Sequence, residues 1–422
     1  MNHKIMKVIV AHAGQQHSYK TAEAFNEKGC LLKYATTVYF KPWSLTRLVS
    51  YFLPGSQKTR CRNRVSNNLP NDKVLQIGEL RGLFILALRR SETLQRLFPN
   101  YIRNLTDDFG ISVAKYAIKH KADAVIMYDT NSNTCFKYLK EHAPEIKRVL
   151  DVTIANRLYL KTVYEKEMVK YPEYKEHIYN EQKDVVDDLS HDRRIEELDN
   201  AQYFLAGSNF VKKSLVFSGV KPDSVFVVNY GVDKLQFTFN APRESQYPLN
   251  LLFVGQVNFR KGLHHLLSVA SKYTKEQVIL NIVGGVSNNN VLYSKYKDCD
   301  NIKFWGFLTR DKISKIFGMA DVFVLPSLAE GFALVSLEAL SSGLPVICTS
   351  NSGCNDVIVD EHNGFVIDVS NEEQLNAKIV WFLENMAKIP SMKENARRTV
   401  KNLAWSDYRK NVVEAVCSII EK

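Results

Sequence analysis

The 422-residue sequence predicts an α/β protein built from two doubly wound, parallel-sheet halves that face a central cleft. Short apolar runs of strand length recur along the chain, and segments with helical periodicity or loops separate them, as is typical of such sheets. The first run of each half ends in a glycine-containing turn, at Gly14 and at Gly255. Between the halves, residues 240–248 are polar and contain two prolines, as a linker would.

The predicted strands share a mostly aliphatic composition, as expected of parallel strands that are covered on both faces. In the first half they are Lys4–Ala11, Ala124–Tyr128, Arg148–Ile154, Tyr203–Ala206 and Val225–Val228. In the second half they are Leu251–Val254, Val278–Val283, Ile302–Trp305, Phe323–Leu325 and Val346–Cys348.

We assign residues 1–240 to an N-terminal Rossmann-like domain and residues 241–403 to a C-terminal one. Residues 404–422 are expected to form a helix that packs back on the N-terminal domain. The segment 157–200 is rich in charge and tyrosine. We interpret it as a solvated helical insertion that covers a sheet.

Composition excludes several classes of protein. The first thirteen residues lack the apolar core and cleavage site of a secretory signal. No window approaches the roughly 18 apolar residues of a transmembrane helix. The seven cysteines are dispersed, without a CxxC pair or zinc-type spacing, which favours thiols in a reducing cytoplasm. We therefore expect a cytoplasmic protein without a metal site.

The net charge of +11 is concentrated in one segment. Residues 41–104 contain twelve Lys or Arg against three acidic residues, which gives +9, and aromatic residues such as Trp43, Phe52 and Phe84 are interleaved. A basic segment with amphipathic neighbours suits an anionic membrane surface. It would also suit nucleic acid, and a solvated basic face without a specific role is a further alternative.

The richest pattern lies between residues 318 and 368. A predicted strand ends at Pro326, and Glu330 follows it, just before a helix predicted over Ala333–Ser342. Open α/β sheets bind ligands at this carboxyl edge, and the first amides of the helix, at residues 333–335, would form an anion site. Glu338 lies about one and a half turns into the helix.

Two carboxylates beside an anion site suit a ligand that has two diols bridged by phosphates, because a carboxylate can accept two hydroxyls. A nucleotide sugar is such a ligand. A helix-capping acid followed by a solvated helical Glu would fit the spacing of Glu330 and Glu338 equally well.

The segment EGFALVSLE from Glu330 to Glu338, flanked by ADVFVLPS and EALSSGLPVI, resembles the signature of retaining family-4-type glycosyltransferases of the GT-B fold, such as bacterial surface-polysaccharide enzymes. Similar resemblances lie in LFVGQVNFRKG from Leu252 to Gly262 and in shorter pieces at Ser208, Tyr230–Asp233 and His362–Gly364. The resemblance is strong over residues 205–405 and loose before them.

The resemblance implies a role for each matching residue. Glu330 would contact the donor sugar, Glu338 the ribose diol, and Lys261 with Arg260 the diphosphate. The remaining predicted donor-binding residues are Gly14, Gly255, Phe307, Phe332, Ala333 and Leu334. Many relatives have an arginine after the strand glycine, where this chain has Gln256, so Arg260 would replace that cation.

The resemblance assigns the acceptor to the N-terminal domain, where His17, Asp129 and Asn156 are the candidates at the cleft edge. It implies sugar transfer with retention to a glycan acceptor, which we expect to be lipid-linked and extended at the inner face of a membrane. No cofactor or metal is expected, because the two cations can stabilise the leaving diphosphate. Asp298-Cys-Asp300 is interpreted as a turn rather than a metal site.

Two other functions compete with this one. A GT-B-shaped sugar-nucleotide epimerase would bind the same donor, but it would not need the basic segment 41–104. A basic nucleic-acid-binding protein would give Glu330 no role, and no nucleic-acid motif accompanies the charge, so no nucleic-acid partner is expected.

Overall fold

The structure, a computed structural model, describes residues 6–88, 99–187, 191–233, 247–287 and 289–422. Within them, two separate parallel sheets form the frame, which confirms the predicted α/β class with two Rossmann-like halves. The strands of the first sheet are β1 Val8–Ala11, β2 Leu31–Thr36, β3 Val74–Gln76, β4 Ala124–Tyr128, β5 Lys147–Val152, β6 Tyr203–Ala206 and β7 Val225–Val227. Those of the second are β8 Leu249–Val254, β9 Val278–Val283, β10 Ile302–Gly306, β11 Val322–Leu325, β12 Val346–Thr349 and β13 Gly364–Ile367.

The order of the strands defines where each sheet can bind a ligand. The first sheet runs β3-β2-β1-β4-β5-β6-β7 and the second β10-β9-β8-β11-β12-β13. The direction of winding therefore reverses between β1 and β4 and between β8 and β11. Ligands bind outside the carboxyl ends of strands at such switch points. Each half has one.

The helices cover both faces of the two sheets. In the first half they are α1 Ser18–Glu27, α2 Leu45–Phe52, α3 Gly55–Arg62, α4 Glu79–Leu88, α5 Pro99–Lys119, α6 Asn133–His142, α7 Arg157–Lys170, α8 Lys175–Val186, α9 His191–Asn200 and α10 Asn209–Phe217. In the second half they are α11 Leu263–Ala270, α12 Val291–Tyr296, α13 Arg310–Met319, α14 Leu334–Ser341, α15 Glu372–Glu384, α16 Ile389–Thr399 and α17 Trp405–Glu421. Among the described residues, none of these helices is long and apolar enough to cross a membrane.

Central strands form where continuous apolar runs can be buried on both faces. All four residues of β1 are fully buried, as are all five of β4. The sequence did not predict β2, β3 or β13. In β2 only four of the six residues are buried, and β3 has three residues at the sheet edge, so neither gives a clear apolar run.

The last helix, α17, lies against α1 of the first half. The Tyr408 hydroxyl is 2.7 Å from the Thr21 hydroxyl, and Arg409 Nε donates to Glu27 at 2.9 Å. Gly231 allows the backbone at the start of α17 to approach closely, since a Cβ there would lie 2.3 Å from the amide nitrogen of Trp405. The predicted linker lies outside the described residues except for Tyr247 and Pro248, so the domain limits remain a prediction.

Helices α7 and α8 bridge the two halves, and the prediction of a solvated insertion is wrong for them. Glu167 on α7 is buried against His264 and His265 of α11. Tyr174, between α7 and α8, accepts a hydrogen bond from Lys295 Nζ at 2.8 Å. Leu160, Tyr164 and Met168 form a buried apolar stripe on α7, which the high content of charged residues and tyrosine around it obscured in the sequence.

Candidate functional site

Two loops at the switch point of the second sheet carry the predicted donor residues. The loop 255–262 follows β8, and the loop 326–333 follows β11. They touch at Gly262, which has a φ of +63° and where a Cβ would lie 1.8 Å from the Pro326 carbonyl oxygen. Only glycine fits this approach. The contact brings the cations of the first loop to the carboxylate of the second.

Glu330, Lys261 and Arg260 form one compact cluster. Glu330 Oε1 lies 2.7 Å from Lys261 Nζ and 2.8 Å from Arg260 Nη1. The Glu330 side chain is only 11% exposed, so water screens these charges weakly. The three residues predicted to be catalytic are therefore adjacent. They place two positive charges and one carboxylate at the carboxyl edge of the second sheet.

Helix α14 begins one residue later than predicted, at Leu334. The Ala333 amide donates to the Ser352 carbonyl oxygen at 3.3 Å, so the expectation that the amides of residues 333–335 are all unpaired is wrong for Ala333. Leu334 is partly exposed at the helix start, Phe332 is buried before it, and Glu338 lies half-buried on the helix. The anion site is smaller than the sequence suggested.

An open cleft of about 640 Å³ is lined by Gly255, where a Cβ would lie 3.6 Å from Lys261 Cε. Gly255 and Gln256 line it after β8, and Phe307 and Leu308 line it after β10. Phe307 is 85% exposed, which leaves its ring face available to a planar ligand. A Cβ on Gly284 would lie 1.7 Å from the Gly255 carbonyl oxygen, so glycine there lets β9 approach β8 at the base of the cleft.

Glu181 on α8 holds the cationic loop from the other half of the chain, and sequence reasoning missed it. Its carboxylate accepts the amide hydrogens of Phe259 and Arg260, both at 2.9 Å. No local spacing signals this contact, because it joins a helix to backbone amides more than 70 residues away. Glu181 therefore positions Arg260 and Lys261 without touching the cleft itself.

Glu181→Gln is expected to raise the KM for the donor about threefold to tenfold and to change kcat less, because a charge-assisted contact to two amides is weakened at a largely exposed carboxylate. Steady-state kinetics measure the two constants. Glu176→Gln, five residues earlier on the same helix and exposed, is the matched control. Equal constants in both variants would remove the positioning role.

The three acceptor-side candidates lie in different environments. His17 Nε2 is 2.9 Å from Asp151 Oδ2, and its ring is packed among tyrosines, with centroid distances of 4.4 to 5.8 Å. Asn156 caps α7, accepting the Leu158 amide at 2.9 Å. Both side chains thus have structural partners.

Asp129, directly after β4, is the third candidate. It accepts a hydrogen bond from the Thr153 hydroxyl at 2.9 Å. Burial, followed by the nearby Glu197 carboxylate, raises the pKa of Asp129 to about 7. A carboxyl group that exchanges its proton near neutral pH can act as an acid or a base. Among the three candidates, Asp129 is the one best suited to act as an acid or a base.

A buried cluster at the α7–α11 contact links the halves through charge. Glu167 Oε1 lies 2.7 Å from His264 Nε2 and 2.8 Å from His265 Nε2, which are hydrogen-bonding distances, although the three residues could also offer one ligand each to a metal. His265 Nδ1 lies 3.3 Å from Glu372 Oε1. Burial lowers the pKa of His264 to about 4. Burial also acts to lower the pKa of His265, but hydrogen bonds to the two carboxylates outweigh it and raise that pKa.

This arrangement predicts how stability depends on pH. A histidine whose pKa is raised by folding stabilises the protein fully below its ordinary pKa of 6.5, and the contribution is lost as pH rises through the raised value. Above pH 6.5 the melting temperature should therefore fall by about 1–2 °C more in the wild type than in His265→Gln. Differential scanning calorimetry from pH 6 to 9 measures this, with His142→Gln, an exposed histidine, as control. Parallel curves for wild type and His265→Gln would contradict it.

Asp298 and Asp300 are exposed in the turn between α12 and β10, where the sequence predicted a turn.

The second half of the chain matches known proteins. Residues 236–399 match the protein family described as glycosyl transferases group 1. An uncharacterized glycosyltransferase of Methanocaldococcus jannaschii is 25% identical over 215 residues, which cover 45% of this chain and 53% of the relative. A putative colanic acid biosynthesis glycosyltransferase of Salmonella typhimurium is 26% identical over 175 residues, covering 39% and 43%. The matches indicate a glycosyltransferase domain. The chain spans about half the length of these relatives.

Solved structures resemble the whole chain. A sucrose-phosphate synthase of Thermosynechococcus elongatus has a TM-score of 0.65 at 17% identity, covering 99% of both chains. A lipopolysaccharide outer core galactosyltransferase has a TM-score of 0.64 at 15% identity, covering 98% of this chain and 100% of the other. An Anabaena protein solved with UDP has a TM-score of 0.61 at 14% identity, with the same coverage. At these identities the likeness concerns the fold, and it confirms GT-B.

Proposed function

We propose that this chain is a retaining glycosyltransferase that moves a sugar from a nucleotide-sugar donor to a glycan acceptor. The observation that carries the proposal is the Glu330–Lys261–Arg260 cluster at the carboxyl edge of β11, beside the cleft lined by Phe307. The Anabaena neighbour, solved with UDP, supports a nucleotide-sugar donor.

The geometry suggests how the donor is held. The nucleobase lies in the cleft against Phe307, and the ribose diol reaches Glu338 on α14. The diphosphate draws Lys261 and Arg260, which in the protein alone neutralise Glu330. Glu330 then accepts hydrogen bonds from the donor sugar. A carboxylate and two cations thus exchange partners when the donor binds.

The reaction breaks the bond between the anomeric carbon of the sugar and the diphosphate oxygen. Negative charge grows on the diphosphate, where Lys261 and Arg260 stabilise it without reorganisation. The acceptor hydroxyl oxygen forms the new bond on the same face, and its proton passes to the leaving diphosphate. Two fixed cations supply the charge, so the proposal requires no metal ion.

The proposal is tested by sugar transfer. Protein is incubated with UDP-, GDP- and ADP-sugars that carry a labelled sugar, together with a total lipid extract, and label that becomes lipid-soluble is counted. We expect one donor to label the lipid fraction, with the anomeric configuration retained in nuclear magnetic resonance spectra. Isomerised donor without any labelled acceptor would instead indicate an epimerase.

A surface of the first half supports a membrane-bound acceptor. Helix α2 is amphipathic with its apolar side outward, since Thr46 and Ser50 are buried while Leu48 and Phe52 are 56% and 82% exposed. Trp43, just before it, is fully exposed. Helices of this kind bury their apolar side at a bilayer surface. We define these exposed side chains of residues 43–52 as the apolar face.

Basic side chains accompany the apolar face. Arg47 on α2 is exposed, as are Arg60 and Arg62 on the neighbouring α3. Each cation near an anionic lipid surface contributes about 1 kcal/mol, screened by salt. Arg89, Arg90 and Arg96 of the predicted basic segment lie outside the described residues. We propose that the apolar face docks on an anionic membrane.

Liposome flotation measures this docking. Wild-type protein should float with anionic vesicles at low salt and be released by high salt, and the pairs Trp43→Ser/Phe52→Ser and Arg60→Glu/Arg62→Glu should each lower the bound fraction about tenfold or more. Arg398→Glu/Lys410→Glu, exposed cations of the second half, is the control and should float like wild type. Equal flotation on neutral vesicles would argue against the role of the cations.

A further inference from the structure

A cavity of about 530 Å³ opens at the switch point of the first sheet. It lies at the carboxyl ends of β1, β2 and β4, and its lining includes Gly14, Thr37 and Thr130. This is the position where a doubly wound sheet binds a ligand. Gly14, which the sequence predicted to bind the donor, lines this cavity and not the cleft near Lys261. No step of the proposed donor chemistry uses the charged side chains of this cavity.

The lining is rich in arginine. Arg64 follows α3, Arg103 lies on α5, and Arg193 and Arg194 lie on α9, so arginines from three segments line the cavity. Arg193 is paired with Asp107 of α5 at 3.2 Å. Four arginines exceed what one neutral sugar or one carboxylate would need, whereas arginine forks match the oxygens of a phosphate.

Glu197, the acidic residue in the described lining, already accepts hydrogen bonds from the loop after β4. Glu197 accepts the amide hydrogens of Thr130 and Ser132, both at 3.0 Å, and the Ser132 hydroxyl at 2.7 Å. Its oxygens therefore hold the loop after β4 in place. The described lining holds four arginines against the carboxylate of Glu197, and Asp107, outside the lining, pairs with Arg193.

Helix α4 connects the cavity to the apolar face. Gly82, Ile85 and Leu86 line the cavity from one side of the helix, while Leu80 and Phe84 are exposed on it. Glu79 at its start accepts the amide and hydroxyl of Thr46 on α2, at 2.8 and 2.6 Å, which fixes the two helices together. Helix α4 thus lies between a ligand in the cavity and the surface that we propose to dock on lipid.

We infer that this cavity binds a phosphate group of the acceptor, with Arg64 and Arg103 as its principal ligands. The inference rests on the proposed function, because it gives the acceptor's chemical class to the enzyme's first half. The phosphate can belong to a lipid carrier or to a soluble sugar phosphate, and both present the same oxygens to the arginines.

Isothermal titration calorimetry with simple probes tests the inference. The probes are farnesyl phosphate and glucose 6-phosphate, with farnesol, glucose and glucuronate as controls. The full chain should bind one or both phosphates and neither uncharged compound. Arg64→Ala/Arg103→Ala should weaken phosphate binding at least about tenfold. Lys119→Ala, an exposed cation on the same helix as Arg103, should not change it.

The outcomes separate the two claims. Binding of farnesyl phosphate alone supports a lipid carrier, and binding of glucose 6-phosphate supports a soluble acceptor. Equal affinity for glucuronate would overturn phosphate selectivity. Phosphate affinity that is unchanged in Arg64→Ala/Arg103→Ala but lost in Lys261→Ala would place the probe in the donor site and overturn the inference, while the proposed function would stand. Absence of phosphate binding would also overturn it.

Discussion

Glu330→Ala is expected to lower kcat/KM by about a hundredfold or more, because it removes an oriented contact to the reacting sugar. It also leaves Lys261 and Arg260 without the carboxylate that they now share at 2.7 and 2.8 Å. Glu330→Gln keeps the shape and most of the polar contacts but not the charge, so it should lose less.

Kinetics with the labelled donor measure this effect, and the melting temperature of each variant shows whether it folds. Glu394→Ala, an exposed glutamate on α16, is the control and should keep wild-type activity. A folded Glu330→Ala protein with near-normal turnover would rule out the assigned role.

Lys261→Ala should lose a comparable amount of activity, because a cation 13% exposed is removed from the growing charge of the diphosphate. Arg260→Ala should lose about tenfold if Arg260 replaces the cation that is absent at Gln256. Its side chain is 26% exposed, so its charge is better screened.

The order of the two losses is the sharper measurement. The value of kcat/KM should be higher in Arg260→Ala than in Lys261→Ala. Lys272→Ala, which changes an exposed lysine after α11, should keep the wild-type value. A wild-type rate and donor affinity in Arg260→Ala would show that Arg260 does not replace the cation absent at Gln256.

Local sequence information determined several strands in both halves and the loop that carries Glu330. Buried apolar runs predicted β4, β6 and β9 with the observed limits, since a parallel strand covered on both faces must be apolar throughout. The loop that carries Glu330 could be placed at the carboxyl edge of β11 because a proline ends the strand and a helix follows it. The residues within and next to each of these segments were enough to predict it.

Contacts between distant segments could not be predicted in the same way. Glu181 binds backbone amides of the other half, and nothing in its own neighbourhood distinguishes it from a solvated glutamate. His17 meets Asp151 across the sheet, 134 residues apart. The sequence showed aromatic residues interleaved with basic ones in residues 41–104, but only the packing of α2 shows that its apolar side faces outward.

Differential scanning calorimetry with UDP-, GDP- and ADP-sugars tests whether the second half binds a nucleotide sugar through Lys261 and the cleft beside it. A ligand that binds only the folded protein at a hundred times its Kd stabilises it by about 2.7 kcal/mol. We predict that sugars of one nucleotide raise the melting temperature of the wild type and that Lys261→Ala loses most of this rise. If no nucleotide sugar raises the melting temperature, or if Lys261→Ala responds like the wild type, a nucleotide sugar does not bind through Lys261.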